Sequence, residues 1–132
     1  MTLPMISAYT AAILGIFQIM LMIPAANSRR KFRVLIGDGN NEDLLYKIRR
    51  HGNFTENAPI FLILLAFLEI AGAAPNLVIA LAITFIVTRL SHAYALSGPG
   101  KPLASRLIGA MGTVLTILTT SGLLLWQLSQ LP

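Results

Sequence analysis

The sequence predicts an all-α integral membrane protein, a bundle of four spanning helices. Three observations lead there. Hydrophobic residues make up 55% of the 132-residue chain and charged residues 11%, with a mean hydropathy of +0.73, a balance that suits lipid better than water. Four stretches, residues 5–26, 54–73, 76–96 and 107–128, come close to the roughly 20 apolar residues that cross a bilayer. These stretches leave only short connections, so residues 1–132 are expected to form one transmembrane domain. Helices are favoured because each satisfies its own backbone polar groups inside lipid, and an up-down bundle joins them simply.

Taken in order, the first span carries small residues at Ala8, Ala12 and Gly15, with Ala11 and Gly15 four apart. Such spacing permits close helix approach, although small residues are also common in any span. Gln18 is its one strongly polar residue before Asn27, and Pro24 is placed to bend its end. Pro24-Ala25-Ala26 resembles a signal-peptide cleavage region, but no basic segment precedes the apolar run. The span is therefore expected to be retained. Gly37-Asp38-Gly39-Asn40-Asn41 reads as a turn, too short and too acidic for a phosphate loop. Asn40 or Asn41 is placed to cap the next helix, with Glu42 and Asp43 in its first turn. That helix runs on through Tyr46, Arg49 and Asn53 into the second span, where Pro59 is tolerated at the cost of a bend. Gly72-Ala73-Ala74-Pro75-Asn76 separates the second and third helices, and Ser97-Gly98-Pro99-Gly100-Lys101-Pro102 the third and fourth. Trp126 suits an interfacial anchor. There is no internal repeat.

The formal charge is +5, and the basic residues are unevenly placed. Arg29, Arg30, Lys31, Arg33, Lys47, Arg49 and Arg50 lie between spans one and two, and Lys101 and Arg106 between spans three and four. The remaining link and both ends have none, so the positive-inside rule puts both basic loops in the cytoplasm and both termini outside it. Topology and contact with anionic membrane lipid account for most of these charges. Nucleic acid is a poor reading of the basic balance, because the cations flank spans. The chain has no cysteine, which excludes disulfides, thiolate metal sites and a cysteine nucleophile. With two histidines, His51 and His92, no metal site is expected, and any thiol chemistry needs a thiol from outside.

The remaining charges are harder to assign to topology. At about 100° per residue, Glu42, Tyr46, Arg49, Asn53 and Glu56 share a narrow arc, while Arg50 and His51 point elsewhere. Arg89 and His92 share a face of the third helix, and Arg106 opens the fourth. One reading is an internal salt-bridge network, Arg49 with Glu56 or Glu42 and Arg89 with Glu56. The other is a binding site, since ionisable groups at membrane depth are costly and mark function by default. The surplus of arginine suits a small anion bearing carboxylates, which guanidinium groups bind in pairs of hydrogen bonds.

Arg49-x-His51-x-Asn53-x-x-Glu56-x-x-Pro59 resembles the second-helix signature of the MAPEG family, membrane-associated proteins in eicosanoid and glutathione metabolism. Arg29-Arg30-Lys31-Phe32-Arg33-Val34 resembles that family's segment after the first span, and Arg89-x-x-His92 its third-helix motif. Gly37-Asp38-Gly39 ahead of the helix-two motif is similar to small bacterial members. The resemblance implies a homotrimer in a bacterial inner membrane, with glutathione as co-substrate held between neighbouring subunits on the cytoplasmic side. It implies that Arg49, Asn53 and Glu56 contact the tripeptide, that Arg29 and His51 reach it from the adjacent subunit, and that Arg89 and His92 belong to the same binding region. Arg106 would stand beside the sulfur as the catalytic residue, and the second substrate would be a lipophilic electrophile. A hydrogen-bonded structural role suits His92 better than general base. The expected function is a glutathione-dependent transferase or peroxidase.

Two departures weigh against eicosanoid substrates. Where the eicosanoid-making synthases have a tyrosine, after the motif glutamate or four residues past the third-helix histidine, this chain has Asn57 and Leu96. A MAPEG-fold binding or interaction module without robust catalysis is the alternative. A small multidrug transporter fits less well, because such proteins have a carboxylate deep in the first span and this chain has none there. Glu69 is expected to be a helix-end residue rather than a proton carrier.

Overall fold

The computed structural model describes residues 3–130, and they are all-helical: α1 Met5–Phe32, α2 Glu42–Ile70, α3 Pro75–Ala95 and α4 Leu103–Ser129. Each helix is long and apolar enough to cross a membrane. The chain ends at residues 1–2 and 131–132, to which the expected sidedness of the termini refers, lie outside the described residues.

The helices outrun the apolar stretches. α1 continues past residue 26 because the basic cluster is compatible with a helix C-terminus. Arg29, Arg30 and Lys31 occupy its last turn, where cations oppose the negative end of the helix dipole. It stops at Arg33, whose φ of 55° is left-handed and whose N–H donates to the carbonyls of Arg29 and Arg30. α2 starts well before its apolar stretch. The Asn41 side chain accepts from Leu44 N at 2.9 Å, and Glu42 and Asp43 fill the first turn. Gly39, at φ +58°, is needed in the preceding turn on two counts: a Cβ there would lie 2.6 Å from Val34 Cγ2. With 29 residues, α2 is about 43 Å long. It exceeds the hydrocarbon thickness, so its polar first third projects beyond the apolar zone.

At the other end, α1 begins after Pro4 with no cap from its own segment. Glu69, in the last turn of α2, supplies one. Its carboxylate accepts from Ile6 N at 2.9 Å, Ser7 N at 2.8 Å and Ser7 Oγ at 2.6 Å. Glu69 is thus a helix-end residue, but it serves the start of α1 rather than only the end of its own helix.

α2 packs against the other three helices, whereas α1 and α4 do not touch. The core lies between α1, α2 and α3 around Leu14, Leu21, Phe54, Phe61, Leu65, Leu68, Val78 and Phe85. Phe61 and Phe85 stack with ring centroids 3.9 Å apart, and Phe17 meets Phe54 edge-on. The outer faces are apolar too, with Ile16, Met20, Ile83, Val87, Leu115 and Leu118 exposed, as lipid solvation allows. α3 and α4 approach most closely. A Cβ on Gly109 would come within 2.5 Å of His92 Cβ and 2.6 Å of His92 Cα. The inward face of α4 is a row of small residues, Gly109, Thr113, Thr116 and Thr120. Each threonine hydroxyl donates to a carbonyl of its own helix, that of Gly109, Gly112 and Thr116 respectively.

Candidate functional site

The polar third of α2 forms one wall of a cavity of about 480 Å³ at the basic-loop end of the bundle. The volume suits a small-molecule site, which runs from about 300 to 1,000 Å³. Ile48, Arg49, Gly52, Asn53 and Glu56 line it from α2, His92 and Leu96 from α3 and its C-cap, and Arg106 from the first turn of α4. The arc found on the helical wheel explains the α2 wall, since residues three and four apart stack on one face. The close α3–α4 approach at Gly109 brings His92 and Arg106 to the opposite wall.

The salt-bridge network, the alternative to a binding site, does not form. Among the described residues the only ion pair is Lys47 with Asp43, 2.6 Å apart. Arg49, Glu56 and Arg106 are exposed, and none is paired. Two guanidinium groups therefore share the cavity with one carboxylate, and all three charged ends are available to a ligand.

Arg89 also avoids Glu56. It is 3% exposed and sits behind the cavity wall. Its Nη1 donates to Asn53 Oδ1 at 2.7 Å, and its Nη2 to the Gly109 carbonyl at 2.8 Å and to the Thr113 hydroxyl. Its carbon Cζ lies 5.8 Å from the Phe85 ring centroid, within range of a cation–π contact. Its Nε is buried without a partner.

Of the sequence-predicted site residues, Arg49, Asn53, Glu56, His92 and Arg106 meet in one cavity, and Arg89 backs it. Arg29 and His51 stand apart from it within the chain. Arg29 folds back on the α1–α2 loop, donating to the carbonyls of Leu35 and Gly37 at 3.3 and 2.8 Å. It lines a separate cleft with Arg30, Arg33, Val34 and Leu35. His51 Nε2 is buried without a partner. Leu96, noted in the sequence only for not being tyrosine, lines the cavity, as do Ile48 and Gly52. The last two are four apart and one position ahead of Arg49 and Asn53, which was the available signal. Tyr46 lines a smaller adjoining cleft with Leu96, Lys101 and Arg106. Among the described residues, no group of three or more metal-ligating side chains comes together.

Fold and site together define a small four-span membrane protein with a cationic cavity where its helices leave the apolar zone. The sequence model of the MAPEG family matches residues 7–126. The chain is also 33% identical over 90 residues to "Inner membrane protein YecN" of Escherichia coli strain K12, which covers 68% of this chain and 69% of that protein. The YecN of Escherichia coli O6:H1 matches to the same extent. The chain belongs to the MAPEG family.

Proposed function

We propose that the protein is a glutathione-dependent transferase or peroxidase acting on apolar electrophiles at the cytoplasmic face of an inner membrane. The observation that carries this reading is the convergence of Arg49, Asn53, Glu56 and Arg106, from two helices, on one cavity with the charged ends of Arg49, Glu56 and Arg106 unpaired. Glutathione has two carboxylates, one ammonium and one thiol. Arg49 and Arg106 can pair with anionic groups, and Glu56 accepts from the ammonium. A free thiol has a pKa near ~8.5, and a neighbouring guanidinium raises its thiolate fraction. Arg106 takes that part. In conjugation the thiolate sulfur attacks an electrophilic carbon and forms the C–S bond, and the displaced group leaves with the bonding electron pair.

The positive-inside pattern supports basic loops in the cytoplasm and both termini outside it. The name of the relative supports an inner membrane. A homotrimer belongs to the same reading: Arg29 and His51, away from the cavity of their own chain, would then serve a neighbour's. The second reading, a binding module without robust catalysis, draws on Leu96. It lines the cavity beside Arg106, so that place offers no phenol to assist the thiol.

Isothermal titration of glutathione into the detergent-purified protein tests the proposal. Saturable binding is expected for the wild type and its loss in Arg49→Ala. No binding at millimolar glutathione would leave the binding-module reading or another thiol.

A further inference from the structure

Asn53 is the one uncharged polar side chain in the α2 wall of the cavity, and its amide can face a ligand in two ways. With oxygen outward it accepts, and suits an ammonium. With nitrogen outward it donates, and suits a carboxylate. Arg89 decides between them. A guanidinium has only donors, and Arg89 Nη1 lies 2.7 Å from the Asn53 side chain, so the atom facing it has to be the oxygen. The opposite orientation would set N–H against N–H. Arg89 is itself held in place by the Gly109 carbonyl and the Thr113 hydroxyl, so its donor stays beside Asn53. Arg89 in turn is 3% exposed, has no carboxylate partner and keeps a buried unpartnered Nε. Losing the Asn53 oxygen would leave that cation still less satisfied. Asn53 Nδ2 makes no hydrogen bond to any other described residue, and the residue lines the cavity.

We propose that Arg89 is a positioning residue that holds Asn53 with its amide N–H groups turned into the cavity, as a fixed donor for a carboxylate of the ligand. The cavity then sorts a zwitterionic peptide by charge. Carboxylates go to Arg49 and Asn53, the sulfur lies by Arg106, and the ammonium is left with Glu56, the one anionic acceptor there. This deepens the glutathione reading and rests on it for the identity of the ligand, but not for the direction of the amide.

Asn53→Asp separates the two. It keeps the side-chain shape, offers Arg89 a carboxylate and replaces the inward-facing donor by an acceptor. The thermal midpoint in detergent is expected to stay level or rise, because a buried cation gains a counter-charge. Glutathione affinity is expected to fall by about tenfold or more, since a carboxylate ligand now meets a like charge. Arg89→Gln, whose amide can satisfy either face of Asn53, should weaken binding without touching the ligand, and Arg89→Lys should restore most of it. A lowered midpoint or a failure to fold in Asn53→Asp would overturn the contact between Asn53 and Arg89 on which the proposal stands. Retained or tighter glutathione binding would overturn the amide direction, since it would mean that Asn53 accepts from the ammonium. If the wild type binds no glutathione, the proposed function fails instead, and the Asn53→Leu midpoint decides the amide direction: it falls if Arg89 loses an acceptor, and holds or rises if Arg89 loses a facing N–H.

Discussion

Glu69→Ala removes the carboxylate that caps α1 from the far end of α2. Three donors lose their acceptor: Ile6 N, Ser7 N and Ser7 Oγ. Hydrogen bonds to a charged group contribute about 1.5–3 kcal/mol each when buried. These are only part-buried, and the freed N–H groups regain water or lipid headgroups. Helix caps measured by truncation fall at ~0.5–2 kcal/mol, and a favourable charge at a helix N-terminus adds about 0.3–1 kcal/mol. The loss should therefore be about 2–3 kcal/mol. For a chain of this size that lowers the melting midpoint by roughly 6–12 °C. Glu69→Gln keeps one acceptor and should lose about half as much. Trp126, the only tryptophan, reports on this end of the bundle. It neighbours Gln127, whose Nε2 donates to the Ala71 carbonyl at 3.1 Å. Its fluorescence during a thermal ramp in detergent is the assay. Ser7→Ala should add little on the Glu69→Ala background, since the two partners share one interaction. Glutathione binding should not change, because Glu69 lies about 20 Å along α2 from Glu56. An unshifted midpoint in Glu69→Ala would refute the capping argument.

Arg106→Ala should lower turnover by about 10²-fold or more while leaving part of the glutathione binding, the pattern of a group that acts on developing charge. An unchanged rate would remove Arg106 from the chemistry. Gly109→Ala should cost about 1–3 kcal/mol in a detergent melt, because its new Cβ meets backbone and not only a flexible side chain. Asp43→Ala breaks the one ion pair among the described residues, yet Asp43 is 62% exposed. The loss should stay below about 0.5 kcal/mol, and the melting curve should overlay that of the wild type.

The four helices and the α2 wall of the site were legible because they depend on local regularities. Apolar length marks a span, and helical phase alone places Arg49, Asn53 and Glu56 together. What escaped the sequence depends on contacts between distant segments. Glu69 finds its partners 62 and 63 residues away, a pairing that only the crossing of α1 and α2 creates. Arg89 suits Glu56 by charge, but the Gly109 approach offers it a carbonyl and a hydroxyl on α4, and Asn53 accepts from it on α2. Charge complementarity names a possible partner, and backbone proximity selects the actual one. Arg29 illustrates the same limit. Its sequence neighbourhood suggests a ligand contact, whereas within one chain it is occupied by the carbonyls of its own loop.

The threonine row on α4 has a consequence for how such sequences can diverge. Thr116 and Thr120 spend their hydroxyls on their own helix, so neither specifies a partner across the interface. Valine or alanine could replace either one with shape as the main constraint, and the packing against neighbouring helices would tolerate long drift. Thr113 is different, because the same hydroxyl that donates to Gly109 also accepts from Arg89. One helical row thus contains two exchangeable positions, Thr116 and Thr120, and two tied to the polar site, Gly109 and Thr113. Lineages of this fold could differ at positions 116 and 120 while the cationic cavity behind Thr113 stays intact.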